Sequence, residues 1–126
     1  ARGRLITVSQ AVVKVRVGGR TVMEVAEGNG PVNALDAALR KALLPVYPGL
    51  DGMRLTDFRV RILTPQDGTA AVIRVMVEQA GEDGTRWGTV GISENIIEAA
   101  FEALSDGIVH RLMQDRVPVA TMDAAQ

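Results

Sequence analysis

The sequence predicts an α+β domain built from two similar halves, each with three strands followed by one helix. Several short runs alternate apolar and polar residues, as at 11–17, which is the period-two pattern of a half-buried strand. Two longer runs have apolar residues at helical spacing. The tetrapeptides at 36–39 and 98–101 resemble each other and lie about half the chain apart. We therefore expect two pseudo-symmetric βββα units with antiparallel sheets.

The first half spans about residues 5–45. Its strands are predicted at 5–8, 11–17 and 21–27, and a Gly-Gly pair between the last two indicates a tight turn. The helix is predicted to begin at Pro31, because proline suits a first helical turn, where its missing N–H costs nothing. The apolar stripe of this helix consists of Val32, Leu35, Leu39, Ala42 and Leu43.

The second half spans about residues 55–113. Its strands are predicted at 55–63, 69–80 and 85–90. Ser93 is the predicted N-cap of the second helix, since a serine oxygen accepts a hydrogen bond from the first turn. The predicted buried stripe of that helix consists of Ile97, Ala100, Phe101, Leu104, Ile108 and Leu112.

We assign residues 1–116 to a single domain and residues 117–126, which are mostly small, to a flexible tail. One helix per half is enough to cover one face of a small antiparallel sheet. The remaining apolar surface needs cover from the other half or from a second chain. A homodimer is therefore expected.

Composition excludes several classes of function. The chain of 126 residues has 14 Lys and Arg against 15 Asp and Glu and only 3% aromatic residues, which argues against nucleic acid as a partner. No cysteine and one histidine leave no thiol nucleophile and no His-based metal site, so we expect neither metal nor cofactor in this domain. No apolar run approaches the roughly 20 residues of a membrane span. Because the chain lacks cysteine, it fits a reducing compartment, and we expect the cytoplasm.

The segment Gly28-Asn29-Gly30-Pro31 is the sharpest local motif. A strand that leads through glycines into a helix N-terminus presents backbone N–H groups and a positive dipole end, which suits a carboxylate or a phosphate. The alternative is that the glycines only form a tight turn, and the residues alone favour it, since such turns commonly use Gly and Asn. The second helix start at 91–95 is predicted to be capped rather than to bind an anion, because Glu94 already lies at its dipole.

The charged residues do not form a self-contained active site. Asp57 is predicted to lie on a solvated strand face with cross-strand partners such as Arg74 and Glu78. His110 and Asp106 are predicted to form a helix-surface pair, since no serine, cysteine or second histidine makes a triad with the imidazole. No pair of carboxyl groups stands in contrasting surroundings. This chain alone is not expected to be an enzyme.

Taken together, the motifs resemble the C-terminal regulatory domain of the 2-isopropylmalate synthase and citramalate synthase family. The resemblance covers nearly the whole chain from about residue 11 to residue 112. It is closer to the citramalate synthase type than to the leucine-pathway enzymes. The matching segments are VRVGGR at 15–20, AEGNGPVNALDAAL at 26–39, LTDFRVRIL at 55–63, GTAA at 68–71 and WGTVGISENIIEA at 87–99.

The resemblance implies a dimeric domain that binds an end-product amino acid and relays feedback inhibition to a catalytic (β/α)8 barrel. It implies isoleucine as the effector, with leucine next, and an acyltransferase parent that uses acetyl-CoA and a divalent metal in the barrel. Where relatives often carry tyrosine, this chain has Phe58, so a hydroxyl contact is lost there. The effector-binding residues carried over from the family are Asn29, Gly30, Val32, Asn33, Leu55, Phe58, Ile62, Ala70 and Ile96.

Two other functions stay open at the level of sequence. The chain could be a freestanding dimerisation or interaction module with no small-molecule effector. A small enzyme with its site at a shared interface is the least supported. Without the resemblance, the apolar residues of the effector set would be assigned to an ordinary core.

Overall fold

The structure is a computed structural model that describes residue 3 and residues 8–64, 71–118 and 122–124. In these ranges the chain forms two three-stranded antiparallel sheets and two α-helices, which confirms the predicted α+β class. The elements are β1 (Ser9–Val17), β2 (Arg20–Gly28), α1 (Pro31–Leu43), a 3-10 turn (Pro48–Leu50), β3 (Arg54–Leu63), β4 (Val72–Ala80), β5 (Arg86–Ser93), α2 (Ile96–Gln114) and β6 (Met122–Ala124).

The first sheet has the strand order β2-β1-β6. β1 and β2 form a hairpin whose two turn residues, Gly18 and Gly19, have φ of 55° and 81°. A two-residue turn with positive φ at both positions matches the right-handed twist of the flanking strands, and glycine adopts it without strain. Val13, Val15 and Val17 are buried and alternate with exposed residues, as the period-two pattern predicts.

The third strand of the first sheet comes from the end of the chain rather than from its beginning. β6 pairs antiparallel with β1, with Ala124 opposite Val15 and Met122 opposite Val17. This differs from the predicted flexible tail over 117–126, because a free β1 edge offers unpaired N–H and C=O groups that another strand can satisfy. Of the predicted strand at 5–8, residues 5–7 lie outside the described residues.

The second half has the predicted βββα order. β3, β4 and β5 are neighbours in the second sheet, and α2 follows β5. α1 packs on β1 and β2, α2 packs on β4 and β5, and the two helices contact each other. The largest fully buried side chains on the helices are Leu39, Leu43, Leu104, Ile108 and Leu112.

α2 approaches β5 closely. Four of the six residues of its predicted stripe are buried as predicted: Ala100, Leu104, Ile108 and Leu112. A Cβ at Gly91 of β5 would overlap the Ala99 carbonyl oxygen and lie 2.9 Å from the Ala103 nitrogen. Ala99 and Ala103 therefore face the sheet and are fully buried. Ile97, which the sequence placed in the buried stripe, is 44% exposed. The small residues Gly91, Ala99 and Ala103 set the contact between β5 and α2, because they let the two backbones approach closely.

Polar groups add to this contact. The Gln79 side chain is fully buried, and its Oε1 accepts a hydrogen bond of 3.2 Å from the Trp87 indole. A Cβ at Gly107 of α2 would overlap the same Gln79 oxygen, so glycine makes room for the amide. The Thr89 hydroxyl donates a hydrogen bond of 2.5 Å to the Ala103 carbonyl. The position of α2 on its sheet is thus set by both shape and hydrogen bonding.

We predict that Gly91→Ala lowers the free energy of unfolding by roughly 2 kcal/mol or more, because overpacked cores force the backbone to shift. Urea unfolding followed by circular dichroism measures it. Gly88→Ala is the matched control in the same strand, since a Cβ there would only meet the Val77 carbonyl at 3.6 Å. Equal stability of the two variants would contradict the close-approach account.

Candidate functional site

The start of α1 is the helix terminus that the sequence singled out. α1 begins at Pro31, its N-cap is Gly30 in extended conformation, and no side-chain hydrogen bond caps it. The Ala34 N–H bonds the Gly30 carbonyl at 2.9 Å. The N–H groups of Val32 and Asn33 belong to the first turn, where a helix has no internal acceptor for them. This end of the helix therefore keeps donor groups and a positive dipole end for an anion.

The two glycines of the motif have different roles. A Cβ at Gly28 would lie 2.5 Å from the Ala34 nitrogen and 2.8 Å from the Asn33 carbonyl carbon, so Gly28 lets the end of β2 pack against α1. A Cβ at Gly30 would meet open space. The alternative that glycine is needed only for a tight turn and close packing therefore explains why residue 28 is glycine. The space beside Gly30 remains open to a ligand.

The start of α2 is capped, as the sequence predicted, but by a different residue. The Asn95 side-chain oxygen accepts hydrogen bonds from the N–H groups of Ile97 at 2.8 Å and Glu98 at 3.3 Å. Ser93, the predicted cap, accepts from the Asn95 N–H at 3.1 Å and donates to the Glu98 carboxylate at 2.8 Å. The prediction of Ser93 was wrong by two positions, because Asn95 is the residue next to the first turn.

A cleft of about 240 Å³ lies beside α1, and we call it the α1–β3 cleft. It is lined by Asn33 from α1 and by Leu55, Thr56, Asp57 and Phe58 from β3. Leu55 and Phe58 are half-buried and pack against the core. The exposed lining of the cleft is mainly polar, and Leu55 and Phe58 add apolar contacts to it.

A β-bulge shapes this cleft. The register of β3 on β4 shifts between Leu55, which faces Gln79, and Asp57, which faces Glu78. Thr56 is the extra residue, and its single hydroxyl proton is shared between the Glu78 carbonyl at 3.1 Å and the Glu78 carboxylate at 3.0 Å. Bulges bend a strand and redirect side chains, and they are frequent next to functional sites.

The structure places the nine predicted effector residues in three groups. Asn33, Leu55 and Phe58 meet in the α1–β3 cleft. Gly30 and Val32 lie at the start of α1, where the Val32 side chain is buried in the core and its backbone belongs to the first turn. The third group is dispersed. Asn29 is exposed before α1, and Ile62 is 65% exposed farther along β3. Ile96 begins α2 and packs against the core, and Ala70 lies outside the described residues.

Two lining residues were absent from the sequence-based set. Thr56 and Asp57 line the cleft because of the bulge, and a period-two pattern does not reveal an inserted residue. Asp57 is exposed and lies opposite Glu78, as predicted, whereas Arg74 lies opposite Arg61. The ion pair of Asp57 is with Arg59 at 3.6 Å.

A buried carboxylate lies one helical turn from Asn33. Asp36 is only 3% exposed, and its Oδ2 accepts hydrogen bonds from Arg40 Nε at 3.1 Å and Nη2 at 2.8 Å. Arg40 Nη1 also donates to the Met53 carbonyl at 2.7 Å, two residues before Leu55. Burial raises the pKa of Asp36, and the hydrogen bond and charge of Arg40 offset part of that rise. The ion pair therefore ties α1 to the start of β3.

Charges at the other end of α2 have a structural role. Arg111 pairs with Asp83 at 3.3 Å and with Asp115 at 3.2 Å, and its guanidinium lies 5.6 Å from the centre of the Trp87 ring. The Thr85 backbone N–H and then Arg111 lower the pKa of Asp83. The His110 ring lies 5.8 Å from the Trp87 ring, and the predicted pair with Asp106 does not form among the described side chains.

An apolar surface stays uncovered on β3. Val60 and Ile62 lie opposite Val75 and Ile73, so they share the face of the second sheet that carries the core. They are nevertheless 40% and 65% exposed, because α2 packs on β4 and β5. The core-side face of β3 is therefore only partly covered by the described residues.

None of the described helices is long and apolar enough to cross a membrane. The described ranges likewise contain no group of three or more His, Cys, Asp or Glu side chains that could hold a metal ion.

The raised pKa of Asp36 predicts a pH effect. The folded protein keeps the carboxyl proton at pH values where the unfolded chain has lost it, so this group stabilises the fold less as pH rises through that window. At pH 7 we predict that the free energy of unfolding of Asp36→Asn equals or exceeds that of the wild type. As pH falls towards 4, the free energy of unfolding of the wild type should rise relative to that of the variant. Parallel urea titrations at several pH values measure the difference. A constant difference across that range would contradict the raised pKa.

Comparisons with known proteins agree with this architecture. Residues 4–112 match the family described as the LeuA allosteric (dimerisation) domain. The chain is 52% identical over 104 residues to an (R)-citramalate synthase of Geobacter sulfurreducens, covering 82% of this chain and 20% of that protein. It is 54% identical over 102 residues to an (R)-citramalate synthase of Synechocystis, covering 81% and 18%.

A 2-isopropylmalate synthase of Aquifex aeolicus is more distant, at 33% identity over 98 residues, covering 78% of this chain and 17% of that protein. The chain thus spans about a fifth of the length of these relatives. The match covers β1 to α2 nearly in full, which includes both helices and the α1–β3 cleft. The chain therefore belongs to the LeuA allosteric (dimerisation) domain family.

Proposed function

We propose that this chain is the feedback-regulatory domain of a synthase that uses acetyl-CoA, and that it binds a branched-chain amino acid. The observation that carries the proposal is the α1–β3 cleft beside an uncapped helix start, in a chain of an allosteric domain family. The parent enzyme would be a citramalate or 2-isopropylmalate synthase of branched-chain amino acid biosynthesis. Its catalytic (β/α)8 barrel, divalent metal and acetyl-CoA site would lie outside this chain, in the cytoplasm.

The cleft suits a small zwitterion with an aliphatic side chain. The N–H groups of Val32 and Asn33 and the positive end of α1 supply donors for a carboxylate. Leu55 and Phe58 supply the apolar wall for a branched chain. The Asn29 side chain and the loop carbonyls before α1 are acceptors near the same helix start.

Isoleucine is the preferred effector, with leucine next. The relatives above 50% identity are citramalate synthases, whereas the isopropylmalate synthase of Aquifex aeolicus is 33% identical. The family resemblance associates the citramalate type with isoleucine. The two amino acids differ in the position of one methyl group, which a pocket distinguishes by only about 1–3 kcal/mol.

A second copy of the chain would cover the uncovered face of β3. Val60 and Ile62 expose apolar surface beside the cleft, and the family is described as a dimerisation domain. Ile62, which the resemblance places in the effector slot, lies on the same face of β3 as Phe58. A homodimer through this face would therefore both bury apolar area and close the slot.

The alternative function is a freestanding dimerisation or interaction module without a small-molecule effector. The exposed apolar face of β3 supports this module and the regulatory domain equally, since a partner would cover that face in either case. The full gene discriminates between the two, because the regulatory function requires a barrel with metal-binding histidines in the same polypeptide.

We predict that isoleucine binds this chain and raises its melting temperature, because a ligand that binds only the folded state stabilises it. Isothermal titration with isoleucine, leucine and valine measures the affinity order, with isoleucine first. Phe58→Ala should weaken isoleucine binding by about 10-fold or more, since it removes most of the apolar wall. Val90→Ala, on the exposed outer face of the second sheet, is the control. No heat with any of the three amino acids, on protein shown to be dimeric, would refute the effector proposal.

We predict that Ile62→Asp converts the dimer to a monomer, because it places a charge in a buried apolar contact. Ile92→Asp is the matched control: it is 52% exposed but lies on the opposite face of the second sheet, beside Arg74. Sedimentation velocity measures the mass of both variants. A dimeric Ile62→Asp variant would place the interface elsewhere, and a monomeric wild type would refute the homodimer.

A further inference from the structure

Asp36 has a hydrogen-bonding capacity that the fold does not use. The side chain is nine-tenths or more buried, and Oδ2 takes both of its hydrogen bonds from Arg40. Oδ1 is buried and has no hydrogen-bond partner among the described residues. A buried polar atom without a partner costs free energy, and such groups are rare in folded proteins. This oxygen needs a donor that the described chain does not supply.

The position of Asp36 links it to the α1–β3 cleft. Residues three apart on a helix are neighbours on one face, so Asp36 follows Asn33, which lines the cleft. On its other side, Arg40 bonds the Met53 carbonyl and holds the chain that leads into Leu55, a second cleft residue. Asp36 does not itself line the cleft, but it lies one helical turn from Asn33 and is bonded to Arg40.

We propose that Asp36 is the counter-ion for the ammonium group of the amino acid bound in the α1–β3 cleft. The inference rests on the proposed function and adds a residue that the family resemblance does not include. The two charges of a zwitterion would then meet opposite charges on one helix face: the carboxylate at the first turn, through the N–H groups of Val32 and Asn33, and the ammonium one turn later at Oδ1.

Charge balance favours this arrangement. Arg40 already neutralises part of the Asp36 charge, and a ligand ammonium would supply the missing donor to the second oxygen. Charge-assisted hydrogen bonds are stronger than neutral ones, especially where water is excluded. Oδ1 has almost no contact with solvent in the ligand-free chain, so the ammonium reaches it only if the side chains around it move.

The test compares isoleucine with 3-methylpentanoate, which has the same carboxylate and branched chain but no ammonium. Titration of the wild-type chain should give at least 10-fold tighter binding of isoleucine. Asp36→Asn keeps the size of the side chain and removes its charge. It should weaken isoleucine by 10-fold or more and leave 3-methylpentanoate within about 3-fold, so that the discrimination disappears. Asp106→Asn, another helical aspartate with a raised pKa, is the matched control and should bind like the wild type.

A second measurement uses the unaltered chain. The pKa of the Asp36 carboxyl, followed by carbon NMR, should fall on saturation with isoleucine, because a nearby cation favours the ionised form. It should not fall with 3-methylpentanoate, and Asp106 should not respond to either ligand.

Three outcomes would overturn the inference while the proposed function stands. The first is that Asp36→Asn binds isoleucine as tightly as the wild type does. The second is that the variant loses affinity for both ligands equally, which indicates a merely structural role. The third is that the pKa of Asp36 does not change when isoleucine binds. Wild-type protein that binds neither ligand would remove the proposed function, and the inference with it.

Discussion

One helix covers two strands of each three-stranded sheet, and the rest of the molecule depends on this constraint. In the second sheet, α2 lies on β4 and β5, with Gly91 and Gly107 bringing the helix close. β3 is left with its core-side face partly open, so Val60 and Ile62 stay exposed. The gap between α1 and β3 becomes the α1–β3 cleft. The same geometry therefore leaves both an exposed apolar face on β3 and a cleft beside α1.

The chemistry of the cleft follows from the elements on its two sides. α1 contributes polarity, because its first turn has no side-chain cap and because Asp36 is buried one turn farther on. β3 contributes the apolar side chains of Leu55 and Phe58, and its bulge adds Thr56 and Asp57 to the lining. Arg40 connects the two sides through Asp36 and the Met53 carbonyl. Under the proposed function, a ligand that changes the spacing of α1 and β3 would alter this connection and the apolar face of β3 together, and such a link between two sites is what allosteric coupling requires.

Local patterns were enough to predict the fold class, the βββα order of the second half and the start of α1 at Pro31. They failed where a tertiary contact decides the structure. β6 depends on the open edge of β1, and Asn95 rather than Ser93 caps α2. Ile97 is exposed because Ala99 and Ala103 make the contact with Gly91. In the site, the resemblance supplied Asn33, Leu55 and Phe58, but no periodicity reveals a bulge at Thr56. Asp36 is visible in the sequence as a carboxylate between Leu35 and Leu39, yet its unpartnered oxygen becomes evident only in three dimensions.

The central claim is that a branched-chain amino acid binds between the start of α1 and β3. Amide chemical-shift mapping tests it most directly, because each backbone N–H reports its own surroundings. On titration with isoleucine, the largest shifts should occur at the N–H groups of Val32 and Asn33 and along β3 near Phe58. Shifts confined to the start of α2, or no shifts at millimolar isoleucine, would contradict the account.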